Sequence, residues 1–246
     1  METWIKKALV ILAPAMLILL HASAGAMCAA WETGVIDGTG DSGAWCELAL
    51  DASGDMHAVY IRRDTGDLMM ISSLASVWLA PERVDTSGYA EGYCSIALTA
   101  VPEGKLAYYR SDAGALWYAG PESSNEWETG PAISSNDDIG RYCSALPRPG
   151  GGMSVSCRNA TAESLVLVEM DTFGVWSAPL TVDPGPGRGE YCDHAQHPSR
   201  GYLFSEYGSG SGSLIYADPV LETLEWSKGT VCGKVPSGRH VNSCLA

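Results

Sequence analysis

The chain has 246 residues, 46 % hydrophobic and 18 % charged, with 28 glycines and 13 prolines, a composition that can fill a core and excludes a disordered protein. Its formal net charge of −14 excludes the basic surface that a nucleic acid or an anionic membrane face would require.

In chain order, residues 1–26 read as a secretory leader. Lys6 and Lys7 form the basic start, 8–20 the apolar run, and Ala22-Ser23-Ala24 or Ala24-Gly25-Ala26 the small-residue cleavage motif. The run has 13 residues, too few for the roughly 20 that span a bilayer, so no membrane span is expected once the leader is removed. Residues 27–246 then form one secreted, periplasmic or cell-surface domain. Cleavage after Ala24 takes the net charge to −15, because it removes Glu2, Lys6 and Lys7. All eight cysteines lie beyond the leader, at 28, 46, 94, 143, 157, 192, 232 and 244, and an even number in an exported chain predicts disulfides.

Beyond the leader the sequence repeats. Trp31, Trp78, Trp127, Trp176 and Trp226 recur at intervals of 47, 49, 49 and 50, and Cys46, Cys94, Cys143 and Cys192 at 48, 49 and 49. Asp37, Asp85 and Asp183 keep the same time, each six or seven residues after its tryptophan. The units are about 31–77, 78–126, 127–175 and 176–225, with a tail at 226–246. Within the second unit and its flank, CSIAL (94–98), KLAYYR (105–110), LWYAG (116–120) and WETGPAI (127–133) are short, rich in β-branched or aromatic residues, and bounded by turn formers. No window beyond the leader carries a helical stripe. Four short strands in about 48 residues make one blade of a β-propeller. The expected fold is therefore all-β, a propeller of four four-stranded blades in which the cysteine strand is innermost. The Trp-led segment 31–37 is expected to complete the last blade at the outer edge. In the tail, SGRHVNSCLA (237–246) places Cys244 eighteen residues after Trp226, like the start of a fifth blade. Closure by four blades in one chain is expected, with a homo-oligomer that completes the fifth blade as the alternative.

The link between second and third strands repeats as Asp64-Thr65-Gly66-Asp67-Leu68 and Asp112-Ala113-Gly114-Ala115-Leu116, a pattern suited to a tight turn. With Trp117 the second copy reads D-x-G-x-x-W. It resembles the Asp-box turn of sialidase-like propellers, with Arg110 where that motif usually has Ser. The segment from Gly43 to Asp51 with Gly54, His57 and Tyr60, together with Gly92 to Leu98, resembles the repeat of secreted bacterial β-propeller proteins. The resemblance covers about 31–232 and implies the fold rather than an activity.

The recurring residues supply the candidate site. Tyr93, Tyr142 and Tyr191, and Trp45 in the first unit, precede the repeat cysteines. Strand alternation turns their rings away from the thiols, to pack between blades or to stack on sugars. Arg62, Arg110 and Arg158 close the second strands. They could clasp a carboxylate as a sialidase requires, but repeat-equivalent positions more simply make salt bridges with Asp64 or Asp112. Trp117 joins Tyr93, Tyr142 and Tyr191 as a ligand-stacking candidate. Cys46, Cys94, Cys143 and Cys192 are expected to lock the inner strands as disulfides, leaving Cys157 and, for the chain ends, Cys28, Cys232 and Cys244. Zinc held by four thiolates is the weaker reading of the ring, so no metal or cofactor is expected. In CDHAQH, Asp193 and His197 share one face of a strand and His194 the other, so the three do not converge. No separated pair of catalytic carboxylates stands out. The expected function is thus a secreted binding module for carbohydrate or protein, without catalysis, with a sialidase-like glycoside hydrolase and a plain scaffold as alternatives.

Overall fold

The computed structural model describes residues 33–98, 104–122, 126–220 and 225–232. The leader, Cys28, Trp31, the tail segment 237–246 and Cys244 lie outside the described residues. The compact unit runs from Ile36 to Ala246; of the preceding unit, Met1–Val35, only residues 33–35 are described, without regular structure. Among the described residues every element is a strand, and no helix is long and apolar enough to cross a membrane.

Four antiparallel sheets follow one another. The first contains β1 (Ala44–Leu50), β2 (Met56–Arg62), β3 (Asp67–Leu74) and an outer edge broken into β4 (Val77–Trp78) and β5 (Glu82–Asp85). The second contains β6 (Ala90–Ala97), β7 (Lys105–Arg110), β8 (Ala115–Pro121) and β9 (Trp127–Pro131). The third contains β10 (Ile139–Pro147), β11 (Met153–Asn159), β12 (Ser164–Met170) and β13 (Leu180–Asp183). The fourth contains β14 (Glu190–His197), β15 (Gly201–Gly208), β16 (Ser213–Val220) and β17 (Glu225–Cys232). A single parallel pairing, Ile139 with Ala115, ties the second sheet to the third. Each cysteine strand is first in its sheet, and the periodic tryptophans stand on the outermost strands or, for Trp176, on a bridge to Met170 beside one.

Hairpin chemistry explains the local order. The Asp-x-Gly turns lie between β2 and β3 and between β7 and β8, where Gly66 and Gly114 take φ of 70° and 57°. At Gly66 a Cβ would stand 2.3 Å from the Gly88 carbonyl, so glycine is required there by space as well as by conformation. Alternation along β2 sends Val59 and Ile61 into the core shared with the second sheet, where they meet Ile96, Leu106 and Tyr108. Equivalent cores lie between the second and third sheets, around Leu116, Val155 and Val168, and between the third and fourth, around Leu165, Leu167 and Phe204.

The inner strands β1, β6, β10 and β14 gather at one cavity, but hydrogen bonding does not join the sheets into a closed ring. β1 packs on β6, β6 on β10, and β10 on β14. The segment 31–37 was expected to complete the last sheet. Instead β17 takes that fourth place, and Asp37 binds the first sheet. This correction has a simple cause: residues 225–232 follow β16 directly in the chain and pair along its whole length.

Candidate functional site

Each inner strand is bulged at the same place. The ladder skips from Ala44 to Glu47, from Ala90 to Cys94, from Arg141 to Ser144 and from Glu190 to Asp193. In three of the sheets the aromatic residue before the cysteine sits in the left-handed region: Trp45 at φ 52°, Tyr142 at 55° and Tyr191 at 46°. In the second sheet Gly92, at 78°, takes the turn one residue earlier. Such conformations cost a bulky side chain about 1–3 kcal/mol and persist where the surrounding structure fixes them. The bulge cancels strand alternation. The expectation that the rings turn away from the thiols is therefore corrected, since all four aromatic residues and their cysteines, with Glu47, Ser144 and Asp193, border one cavity of about 310 Å³.

The rings form a fan around that cavity. Centroids are 5.1 Å apart for Trp45 and Tyr93, 4.3 Å for Tyr93 and Tyr142, and 4.5 Å for Tyr142 and Tyr191, with tilted planes. Tyr142 shares hydrogen bonds with both Tyr93 and Tyr191. Burial raises the Tyr93 and Tyr142 phenols, which keeps them protonated as donors to a polar ligand.

The residues after the cysteines are, in chain order, Glu47, Ser95, Ser144 and Asp193, a carboxyl group on the first and last sheets and a serine on the two between. Glu47, Ser144 and Asp193 complete the wall, and Ser95 is buried behind it. Ser95 accepts from the Ala145 amide at 2.9 Å and hydrogen-bonds the Glu47 carboxyl. Ser144 donates to Asp193, which also accepts from the His194 amide at 2.9 Å. Burial, reinforced by the charge of Asp193, pushes the Glu47 carboxyl up to about 7 against the pull of Ser95 and the Ile96 backbone. The cavity thus brings together a carboxyl group raised to about 7 and a second, buried carboxyl group. Sequence reading missed this pair, although the column Glu, Ser, Ser, Asp beside four cysteines carried the signal.

The other candidates stand elsewhere. Arg62 binds Asp37 at 3.2 Å and Thr39 at 2.7 Å, not Asp64. Arg110 binds Asp112 at 2.6 Å, as expected, and its guanidinium lies 4.0 Å from the Trp117 ring centre. Arg158 pairs with Glu190. These arginines and Trp117 do not line the cavity, because second- and third-strand positions stand farther from the gathering of inner strands. His194 is fully buried between Ser154 at 3.0 Å and Ser156 at 3.1 Å, where burial lowers it to about 3 and keeps it neutral. His197 lies beside the Ser199 amide at 3.2 Å, so CDHAQH does not converge.

The expected disulfides are also corrected. Cys46, Cys94, Cys143, Cys157 and Cys192 are free thiols, while Cys28, Cys244 and the side chain of Cys232 lie outside the described residues. Two of the ring thiols donate instead to the bulge of the preceding sheet: Cys94 to the Trp45 carbonyl at 2.6 Å and Cys192 to the Tyr142 carbonyl at 3.1 Å. Cys143 reaches the Ala107 carbonyl of the second sheet at 3.7 Å. Burial pushes all three thiols well up, so they remain protonated donors.

No family model matches the chain, and no curated protein matches it in sequence. Solved structures do match in shape. An α-L-arabinofuranosidase from Clostridium thermocellum superposes with a TM-score of 0.52 and 12 % identity, covering 76 % of this chain and 72 % of its own. An exo-β-1,3-galactanase from Phanerochaete chrysosporium gives 0.53 and 9 %, over 77 % of this chain and 50 % of its own. An ulvan lyase bound to a glucuronate and sulfated rhamnose unit gives 0.53 and 10 %, over 77 % and 56 %. The chain therefore spans from about half to under three quarters of these proteins. The expectation of a binding module without catalysis is corrected by these neighbours, which are carbohydrate-cleaving enzymes. At this level of identity the comparisons show an all-β, β-propeller-like fold shared with carbohydrate-cleaving enzymes.

Proposed function

We propose that this protein is a glycoside hydrolase acting on neutral sugars, with its active site at the cavity where the inner strands meet. One observation carries the reading: Glu47 and Asp193 border the same aromatic-lined cavity, the first with a carboxyl group raised to about 7. Glycoside hydrolysis needs such an unlike pair, one acid and one carboxylate, flanking the scissile bond. Protonated Glu47 donates its proton to the leaving glycosidic oxygen as the bond to the anomeric carbon breaks. Asp193 supplies the second function, attacking that carbon or taking a proton from the attacking water. Ser95 and Ser144 hold the two side chains, and the aromatic fan offers faces for a sugar ring.

The substrate class follows from charge. Among the described residues no Arg, Lys or His lines the cavity, and a chain of net charge −14 repels anionic sugars. Arg62, Arg110 and Arg158 are occupied in ion pairs, and burial holds Tyr93 and Tyr142 protonated, which disfavours sialoside chemistry. Four blades forming one ring, and export through residues 1–26 towards extracellular glycans, belong to the same proposal.

Aryl arabinofuranosides, galactosides and xylosides, run beside an aryl sialoside, test it. Turnover of a neutral glycoside is expected, with loss of about 10²–10⁴-fold in Glu47→Gln and in Asp193→Asn. Activity untouched in both variants, turnover of the sialoside alone, or no turnover across the panel would overturn it. The anomer first released, followed by NMR, assigns Asp193 to attack on the sugar or on water.

A further inference from the structure

The seam between the first and second sheets departs from the other two. Two positions before the repeat cysteine, Arg141 and Glu190 each reach across to the preceding sheet: the Arg141 guanidinium lies 5.3 Å from the centre of the Tyr109 ring, and Glu190 pairs with Arg158. Gly92 holds this position on β6 and has no side chain to send across. The turn after the second strand differs in the same sense. Arg110 closes on Asp112 at 2.6 Å, whereas Arg62 is drawn away to Asp37 at 3.2 Å. Asp64, the repeat counterpart of Asp112, therefore has a carboxylate with no hydrogen bond or ion pair among the described residues. The space so left is a cavity of about 410 Å³, bordered by Asp64, Glu91, Gly92 and Ser111.

This second cavity adjoins the first. Trp45 and Gly92 border both, and Trp45 is 44 % exposed while Tyr93, Tyr142 and Tyr191 are half-buried. An open indole face suits the apolar face of a sugar ring. The polar groups around it suit the hydroxyls of the same ring. Carboxylates accept and do not donate, so Asp64 and Glu91 call for a ligand rich in hydroxyl donors and without negative charge. The Ser111 hydroxyl donates to the Tyr89 carbonyl at 3.3 Å and is left to accept as well. Arg63, at the edge, is occupied by Asp41 at 3.6 Å. Among the described residues no third carboxylate, His or Cys joins Asp64 and Glu91 to hold a metal ion instead.

We propose that the cavity beside Gly92 is a second sugar subsite, with Trp45 as the platform it shares with the active site, so that the substrate is a neutral oligosaccharide. The inference rests on the hydrolase reading, and its test reads binding in place of turnover so that the two can fail separately. Titration calorimetry on Glu47→Gln, repeated on Asp193→Asn as a second full-length background, compares the methyl glycosides of arabinofuranose, galactose and xylose with their di- and trisaccharides. In at least one series the longer members should bind about tenfold or more tightly than the single sugar. Asp64→Ala and Glu91→Ala, at exposed positions that the fold does not need, should each weaken the longer members by about five- to tenfold, and Asp64→Asn, which keeps an acceptor, by less. Equal affinity for one sugar and for several would overturn the inference and leave hydrolysis standing, as would a gain with length that both alanine variants retain. No binding by any member would overturn it equally. A native chain without turnover, whose gain with length is lost in the alanine variants, would overturn the hydrolase reading and uphold the subsite.

Discussion

Glu47, Ser95, Ser144 and Asp193 occupy one column of the repeat, so their differences isolate what the site adds to the scaffold. A scaffold needs small hydrogen-bonding groups at this position, and two serines satisfy that. Two carboxyl groups satisfy it at an electrostatic cost, because burial and mutual repulsion oppose ionising both. The sequence made the column visible but not the environment, since the raised Glu47 carboxyl depends on burial that only packing creates. The arginines mark the opposite limit. Their repetition was plain, yet the Asp37 partner of Arg62 lies on a segment that sequence reading had assigned to the last blade. If Glu47 is the acid, its working form is lost as pH rises through about 7. The expected kcat/KM profile falls about tenfold per pH unit on the alkaline side. In Glu47→Gln that limb should vanish, and a limb of unchanged position in this variant would assign it to another group.

At the scale of the element, the bulge decides what the inner strand can present. A regular strand would alternate Tyr142, Cys143 and Ser144 between two faces. The left-handed residue lets ring, thiol and hydroxyl border one cavity instead. The pairing of an aromatic residue with the next cysteine was legible as a repeat, but alternation was the wrong rule for it because the extra residue of a bulge leaves no periodic trace. The strands around it, such as β7 at Lys105–Arg110, fell where apolar runs and turn residues put them. Asparagine accepts the left-handed region more readily than tyrosine, so Tyr142→Asn keeps the backbone while deleting the ring. The expected outcome is a folded protein whose KM rises by about five- to tenfold, in line with the roughly 1 kcal/mol of an aromatic contact, while Tyr142→Phe retains most of the binding. Unfolding of the Asn variant, or an unchanged KM, would show that the ring serves the scaffold instead.

At the scale of the molecule, the three intersheet cores and their polar seams carry the arrangement. Periodicity in Trp, Cys and Asp made the succession of sheets legible. It could not show whether the sheets close, because closure depends on contacts between the two ends of the array. The seam between third and fourth sheets holds the least ordinary group, Glu206 on β15, which is 1 % exposed. Burial, aided by a hydrogen bond to Asp183 and by that residue's charge, pushes its carboxyl up to about 8, while the Gly189 amide and Arg188 pull the other way. Asp183 is itself held by Lys228 at 2.7 Å and Arg188 at 3.5 Å. An unfolded glutamate titrates near about 4.3, so the folded state binds this proton more tightly than the unfolded state. The resulting stability is fully present below that value and is lost as pH rises through about 8. Glu47 contributes in the same direction up to about 7, which leaves the interval between 7 and 8 to Glu206. Thermal midpoints should therefore fall steadily from pH 5 to pH 9 in the native chain. Glu206→Gln keeps a neutral side chain of nearly the same shape, so its curve should flatten most between pH 7 and 8 and lie above the native curve on the alkaline side. Parallel curves for the two proteins would mean that Glu206 is ionised in the folded state and that the seam to Asp183 is held by charge pairing with Arg188 and Lys228 instead.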